Sequence, residues 1–283
     1  MVNDRKPRSD GGNNPAHARV GMNMLTQPIA NEVATDFLTS LDPKTVALLL
    51  DVDGTLIDIG PSPFEVDVSD ELRGSLQRVF ELTDGALALV SGRPIADLDL
   101  LFAPLKLPTI GGHGAEMRVR GDEVINSAEP LPQELRRQLA DAATLDSGVV
   151  FEDKGYSFAL HYRKAPQHAE RLRHHVAAGR AAFPGEATEL LLGKAMFEVK
   201  RPGISKGDSV RKLMAYPPFA GRMPVFIGDD VTDESVFEAL PGLGGKGFSV
   251  GRHFSGLAGI FDSPMDVRRA LQRLASNGQA RRP

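Results

Sequence analysis

Cysteine is absent from the 283 residues, which removes disulfides, thiolate nucleophiles and cysteine-held zinc. A basic excess is also missing. The net charge is −4 and the pI is near 6.0, whereas a nucleic-acid partner calls for a positive surface. No apolar run approaches the roughly 20 residues that span a bilayer, so no membrane partner is expected. The first residues lack the short apolar core of a secretory signal. These absences leave a cytoplasmic enzyme with a small-molecule substrate as the default expectation. What remains is ordinary for a soluble globular chain, 41% hydrophobic and 25% charged. It is long enough for one large domain or two modest ones, each with its own core.

Residues 1–25 are polar and rich in Gly, Asn, Pro and Arg. They hold too little apolar surface to offset the entropy of ordering, so a flexible tail is expected there. Met22 and Met24 fall within it and leave the true start open. From residue 46 short apolar runs appear, VALLL at 46–50, ALALV at 86–90 and PVFI at 224–227. Each suits a strand buried on both faces, as in a parallel sheet covered by helices. Between the first two, Ser69 is a plausible N-cap, and Leu72, Leu76, Val79 and Phe80 share one helical face. Strand, helix and strand with short joints make a βαβ unit and predict a doubly wound α/β core. Pro264 opens an amphipathic helix carrying Val267, Leu271 and Leu274.

The middle of the chain has another texture. PLPQELRRQLADAAT and QHAERLRHHVAAGRAAF read as helices. VVFEDKGY, SFALHYRK, TELLLGK and MFEVKRP alternate like half-exposed strands, the last two joined by a tight turn. Alternation predicts an antiparallel sheet with one solvated face. A small α+β unit is therefore expected at 129–200, inserted between core segments 44–128 and 201–283.

The strongest chemical signal is LLLDVDGTL at 48–56. A buried strand ends and Asp51 and Asp53 follow at its carboxyl end, the rim where open α/β sheets bind ligands. Period-two geometry sends both carboxylates the same way, Gly54 lets the backbone turn, and Thr55 adds a hydroxyl. A strand-end turn is the plainer reading. A calcium loop of the EF-hand type needs further oxygens at fixed spacing, which are missing here. In IGDDVTDE at 227–234, Asp229, Asp230 and Asp233 crowd negative charge at another strand end. Such carboxylates repel unless a cation or proton intervenes, and oxygen-only ligands favour Mg²⁺ over zinc. Acids at a helix start also suit the helix dipole, which is all that Asp233 and Glu234 need be doing. In LVSGRP at 89–94, Ser91 and Gly92 offer a hydroxyl and close backbone approach to a phosphate oxygen. Lys206, read alone, is a solvated surface charge.

DVDGT, SGR, Lys206 and GDDVTDE, in that order, resemble the four motifs of the haloacid dehalogenase (HAD) superfamily. The resemblance covers essentially the whole chain after the tail. It implies a HAD-like Rossmannoid α/β core in which Asp51 is the nucleophile and Asp53 the general acid/base. Ser91, Gly92 and Lys206 would hold the phosphoryl group. Mg²⁺ would sit on Asp51, the Asp53 carbonyl and Asp229, with Asp230 and Asp233 behind it. Placing Asp53 beside Asp51 is expected to raise the pKa of one of them. About 35 residues separate DVDGT from SGR, and one helix uses most of them, so the insertion lies after SGR. That position is similar to the members with an α/β cap at the second site.

Four stretches are similar to the trehalose-phosphate phosphatases: GGHGAEMR at 111–118, EDKGYSFALHYR at 152–163, GKAMFEVKRPGISKG at 193–207, and GDDVTDE. The resemblance implies a cap that grips sugar hydroxyls, with His113, Glu152, Lys154, His161, Arg163 and Glu198 as candidates and Lys154 with Glu198 preferred. Each has a plainer reading as loop or solvent-facing charge. Lys194, His174 and His175 are read as surface residues. The implied reaction is hydrolysis of trehalose 6-phosphate. Another sugar-phosphate phosphatase, a phosphohexomutase, or a catalytically silent sugar-phosphate sensor are the alternatives.

Overall fold

The computed structural model describes residues 30–60 and 66–280, and the tail expected over residues 1–25 lies outside them. In chain order the first segment gives α1 (Ala30–Ser40), β1 (Val46–Leu50), α2 (Asp70–Leu82), β2 (Leu87–Val90), α3 (Ile95–Leu101), β3 (Thr109–Gly111), β4 (Glu116–Arg118) and β5 (Ile125–Asn126). The middle gives α4 (Gln133–Ala140), β6 (Val150–Asp153), β7 (Ser157–His161), α5 (Ala169–Ala181), β8 (Glu189–Gly193) and β9 (Met196–Lys200). The last segment gives α6 (Lys206–Leu213), β10 (Met223–Gly228), α7 (Glu234–Ala239), β11 (Lys246–Val250), β12 (Gly259–Phe261) and α8 (Pro264–Ala280).

The apolar runs become neighbouring strands. The large sheet has the order β12-β11-β10-β1-β2-β3-β4-β5, with parallel pairing from β12 to β3. In β1, Leu48 and Leu50 join one buried cluster with residues of α1, α2 and α8. Ala47 and Leu49 join the opposite cluster with Val210 and Leu213 of α6 and Val236 of α7. Both faces are thus covered, and each such leucine contributes about 1.5–3 kcal/mol on burial. Ser69 caps α2 by accepting from the Leu72 N–H at 3.2 Å, and Leu72, Leu76 and Val79 are buried beneath it.

Two features depart from the sequence reading. The sheet is not wholly parallel, because β4 and β5 add an antiparallel flank to β3. These strands are three and two residues long, too short for alternation to register. Helix α1, ahead of residue 44, packs Ala34 and Leu38 into the core.

Strands β6-β7-β9-β8 form a separate antiparallel sheet. Its apolar face, with Phe158, Leu160, Phe197 and Val199, packs on Leu135, Leu139, Leu172 and Val176 of α4 and α5. The polar face is not solvated as alternation suggests. Glu152, Lys154, Ser157 and Glu198 on that side are all buried. Sequence period records which residues share a face, and tertiary packing decides whether water reaches it. No described helix is long and apolar enough to cross a membrane.

Candidate active site

The cleft lies where the carboxyl ends of β1, β2 and β10 meet the polar face of the second sheet. Strands β1 and β10 run parallel with Leu50 opposite Ile227, and the Asp51 N–H donates to the Ile227 carbonyl at 2.9 Å. Asp51 and Asp229 therefore emerge side by side, from motifs far apart in sequence. Together with Asp233 they place one carboxylate oxygen each within 4.8 Å of one another. Lys206, the first residue of α6, reaches this cluster. Its Nζ donates to Asp51 Oδ1 at 2.8 Å and to Asp233 Oδ1 at 2.7 Å. Ser205 caps α6 by accepting from the Asp208 N–H.

The protonation tendencies follow from burial. Burial, then the neighbouring Asp233 charge, push the Asp51 carboxyl well above the ordinary carboxylate range, and Lys206 opposes them. Asp53 is not among these causes, contrary to the sequence expectation. Its carboxylate is held instead in a two-pronged pair with Arg93, at 2.7 Å to each oxygen. Both aspartates line the cleft, but each faces its own cation. Asp229 is pushed up to about 6, chiefly by burial and against the pull of Lys194. Lys206 is raised despite its burial, by Asp233 and Asp51.

The donor set fits a hard divalent cation. All contributing atoms are carboxylate oxygens, and Asp229 Oδ1 is buried without a hydrogen-bond partner. Gly54 at φ +85 keeps the approach open, because a Cβ there would lie 2.3 Å from Asp229 Oδ2. Asp233 is the least available of the three. Its Oδ2 accepts from the N–H groups of Asp229 and Asp230, and its Oδ1 from Lys206. It holds the loop and the lysine. Asp230 closes a reciprocal cap with Asp233 at the same turn.

Ser91 directly follows β2 and is buried, and its Oγ accepts from the Arg93 N–H at 3.1 Å. Gly92 serves a neighbouring ring. A Cβ there would sit 2.4 Å from His113 Cε1 and Nε2. His113 adopts a left-handed φ of 56°, uncommon outside glycine, and its Nε2 lies 3.1 Å from Glu198 Oε2 across the two sheets.

On the second sheet, Glu152, Ala159 and Glu198 stand in one cross-strand row. The small Ala159 leaves room between the two acids. Lys154 Nζ lies 3.4 and 3.3 Å from the Glu198 oxygens and 3.8 Å from Glu152. His161 Nε2 lies 2.7 Å from Glu152 Oε2, and Ser157 donates to Glu198 Oε1. Burial works against ionising Glu198, but Lys154 and then His113 hold it well below the ordinary range. Burial likewise opposes Lys154, and Glu198 and Glu152 raise it. Arg163 is exposed and donates to the Gly60 carbonyl of the core.

All the candidate residues except the inner Asp233 line this one cleft. Lys194 departs from its reading as a surface charge: it also lines the cleft, on Asp229. His175 is half-buried beside the Gln138 carbonyl, while His174 is exposed beside Glu170. Neither histidine lines the cleft. Arg93 and Ser157 escaped the sequence reading. Arg93 lies within LVSGRP, but its partner Asp53 lies 40 residues earlier. Ser157 was one polar residue in an alternating strand.

The trehalose-phosphatase family model matches residues 49–253. A trehalose-6-phosphate phosphatase of Escherichia coli K12 is 40% identical over 207 residues, covering 72% of this chain and 77% of that protein. The C. albicans trehalose-6-phosphate phosphatase C-terminal domain superposes with a TM-score of 0.72 at 22% identity, covering 86% of this chain and 96% of that one. A HAD-superfamily phosphatase of Bacteroides thetaiotaomicron gives a TM-score of 0.51 at 19% identity, over 84% and 96% of the two chains. At these identities the two structures speak to the fold alone, which is that of HAD phosphatases.

Proposed function

The chain belongs to the trehalose-phosphatase family and is an enzyme, and from that premise we propose that it hydrolyses trehalose 6-phosphate to trehalose and phosphate through a phosphorylated Asp51. The observation that carries this reading is the setting of Asp51. It is buried, paired to Lys206 at 2.8 Å, and beside Asp229 in the lining of the cleft.

In the first step an Asp51 oxygen bonds to phosphorus as the bond to the sugar oxygen breaks. Asp53 gives that oxygen its proton and later takes one from the water that releases phosphate from Asp51. Asp53 has both oxygens on Arg93 in this state, so proton delivery requires that pair to loosen. Lys206 faces the attacked group and offsets part of its charge. Asp51, Asp229 and the Asp53 carbonyl would hold Mg²⁺, which lowers the repulsion between carboxylate and phosphate dianion when bound. Ser91 supplies a hydroxyl at the same rim.

The second sheet is read as a cap over residues 129–200 that selects the sugar. Glu152, Lys154, His161 and Glu198 offer fixed donors and acceptors to hydroxyl groups, and Arg163 and His113 stand at its junction with the core. A site built this way rejects analogues lacking those hydroxyls by about 10⁴-fold.

Phosphate release over a panel of sugar phosphates, with Mg²⁺ and with EDTA, tests the reading. Trehalose 6-phosphate should be cleaved far faster than glucose 6-phosphate, and only with metal. Equal rates would sink the substrate assignment. Asp51→Asn with undiminished turnover would sink the nucleophile.

A further inference from the structure

The β8–β9 turn carries a cation for which the proposed reaction has no role. Lys194 sits there beside Ala195, whose φ is 58°, and its side chain is 54% exposed. Its Nζ nevertheless lies 3.0 Å from Asp229 Oδ2. The other groups around that carboxylate, Gly54, Asp51, Asp230 and Asp233, belong to the core. The contact thus crosses from the second sheet to the metal-binding candidate on the first.

Charge balance shows what this contact stands in for. Three clustered carboxylates, Asp51, Asp229 and Asp233, face two ammonium groups, Lys206 and Lys194. Adding a divalent cation would leave an excess of positive charge, whereas exchanging it for Lys194 would leave the set neutral. Lys206 is the wrong group to leave, since it is buried between two carboxylates. Lys194 is half in solvent, and among the described residues its one ion pair is with Asp229. Its flexible stem and ready hydration make departure cheap.

We propose that Lys194 is an exchangeable counter-ion of Asp229: it holds the cation's place while the site is metal-free, and an arriving divalent cation displaces it and frees the β8–β9 turn from the core. Linkage makes the effect reciprocal, so docking of this turn weakens metal binding by the factor with which metal weakens docking. This rests on the reading of Asp51 and Asp229 as a divalent-cation site.

Calorimetric titration of Mg²⁺ alone into the full chain, wild type against Lys194→Met, measures the first half. The variant keeps most of the stem and loses the charge. It should bind Mg²⁺ about three- to fivefold more tightly, the scale of one partly exposed ion pair. The second half uses the absence of cysteine. Leu192→Cys near the turn and Leu100→Cys on the core, both at exposed positions, take spin labels without background. Mg²⁺ should broaden the label distance in otherwise wild-type protein, while Lys194→Met should be broad before metal is added. Equal or weaker Mg²⁺ affinity in Lys194→Met, or a wild-type label distance that ignores saturating Mg²⁺, overturns the exchange. Absence of Mg²⁺ binding in both proteins overturns the cation-site reading and the exchange with it.

Discussion

The two walls of the cleft handle charge in opposite ways. The core wall crowds the carboxylates of Asp51, Asp229 and Asp233 together, and burial drives Asp51 and Asp229 toward protonation. The wall from the second sheet buries acids just as deeply but gives each a base. Glu198 has Lys154 and His113, Glu152 has Lys154 and His161. There the carboxyls are held below their ordinary range despite burial. Similar groups in similar burial thus shift in opposite directions, and the count of nearby cations decides the sign. The core wall invites positive charge from outside. The opposite wall is already paired and offers fixed dipoles, which suit neutral hydroxyls.

Removing one acid from each wall should separate these roles. Asp51→Asn is expected to lower phosphate release from trehalose 6-phosphate by at least about 10⁴-fold, with no loss of thermal stability, since a buried like-charge contact is relieved. Glu198→Ala should do the reverse in emphasis. It leaves Lys154 buried without its main partner, at a cost of about 3–5 kcal/mol in denaturant melts. Its kcat/KM should fall far more for trehalose 6-phosphate than for p-nitrophenyl phosphate, which has no sugar to read.

The pH dependence of stability should also differ in sign between the walls. Asp229 titrates at about 6 against an ordinary 3.8, so the native state holds its proton more tightly than the unfolded chain. That contribution is present below about pH 4 and lost as pH climbs through 6, of order 2–3 kcal/mol. Melts of metal-free protein in EDTA should show this slope, and saturating Mg²⁺ should flatten it. Glu198 and Glu152 act oppositely, their stabilisation being present above the unfolded carboxyl pKa and lost as pH falls further. The smallest effect is expected from Ser157→Ala, which removes one hydrogen bond to Glu198. It should cost about 1 kcal/mol and weaken trehalose 6-phosphate turnover without abolishing it.

The large sheet and its acidic motifs are legible because their signals are local. VALLL followed by DVDGT places a buried strand and its acids within ten residues, and the βαβ pattern supplies the neighbours. What stayed hidden depends on meetings across the fold. Arg93 finds Asp53 only once β1 and β2 lie side by side, and Lys194 finds Asp229 only when the second sheet docks on the first. The alternation in β7 and β9 marks two faces. That the polar face is buried could not be read, since burial there is set by another part of the chain. Helix α1 is illegible in the sequence for a related reason: its anchors Ala34 and Leu38 are few, and their partners on α8 and β12 come more than 200 residues later.

The placement of β1 between β2 and β10 has a consequence for synthesis. β1 ends at Leu50 and β10 begins at Met223, so one edge of β1 waits on the ribosome while the whole second sheet is made. Open edges of this kind recruit foreign strands. The inserted unit, contiguous from α4 to β9, pairs with itself and has no such wait. A nascent chain halted after Lys200 would carry a finished small sheet beside an incomplete large one, with Asp51 lacking both Lys206 and Asp229. On the proposed mechanism chemical competence arrives only with the final third of translation, and until then the unpaired edge of β1 is the surface that needs shielding.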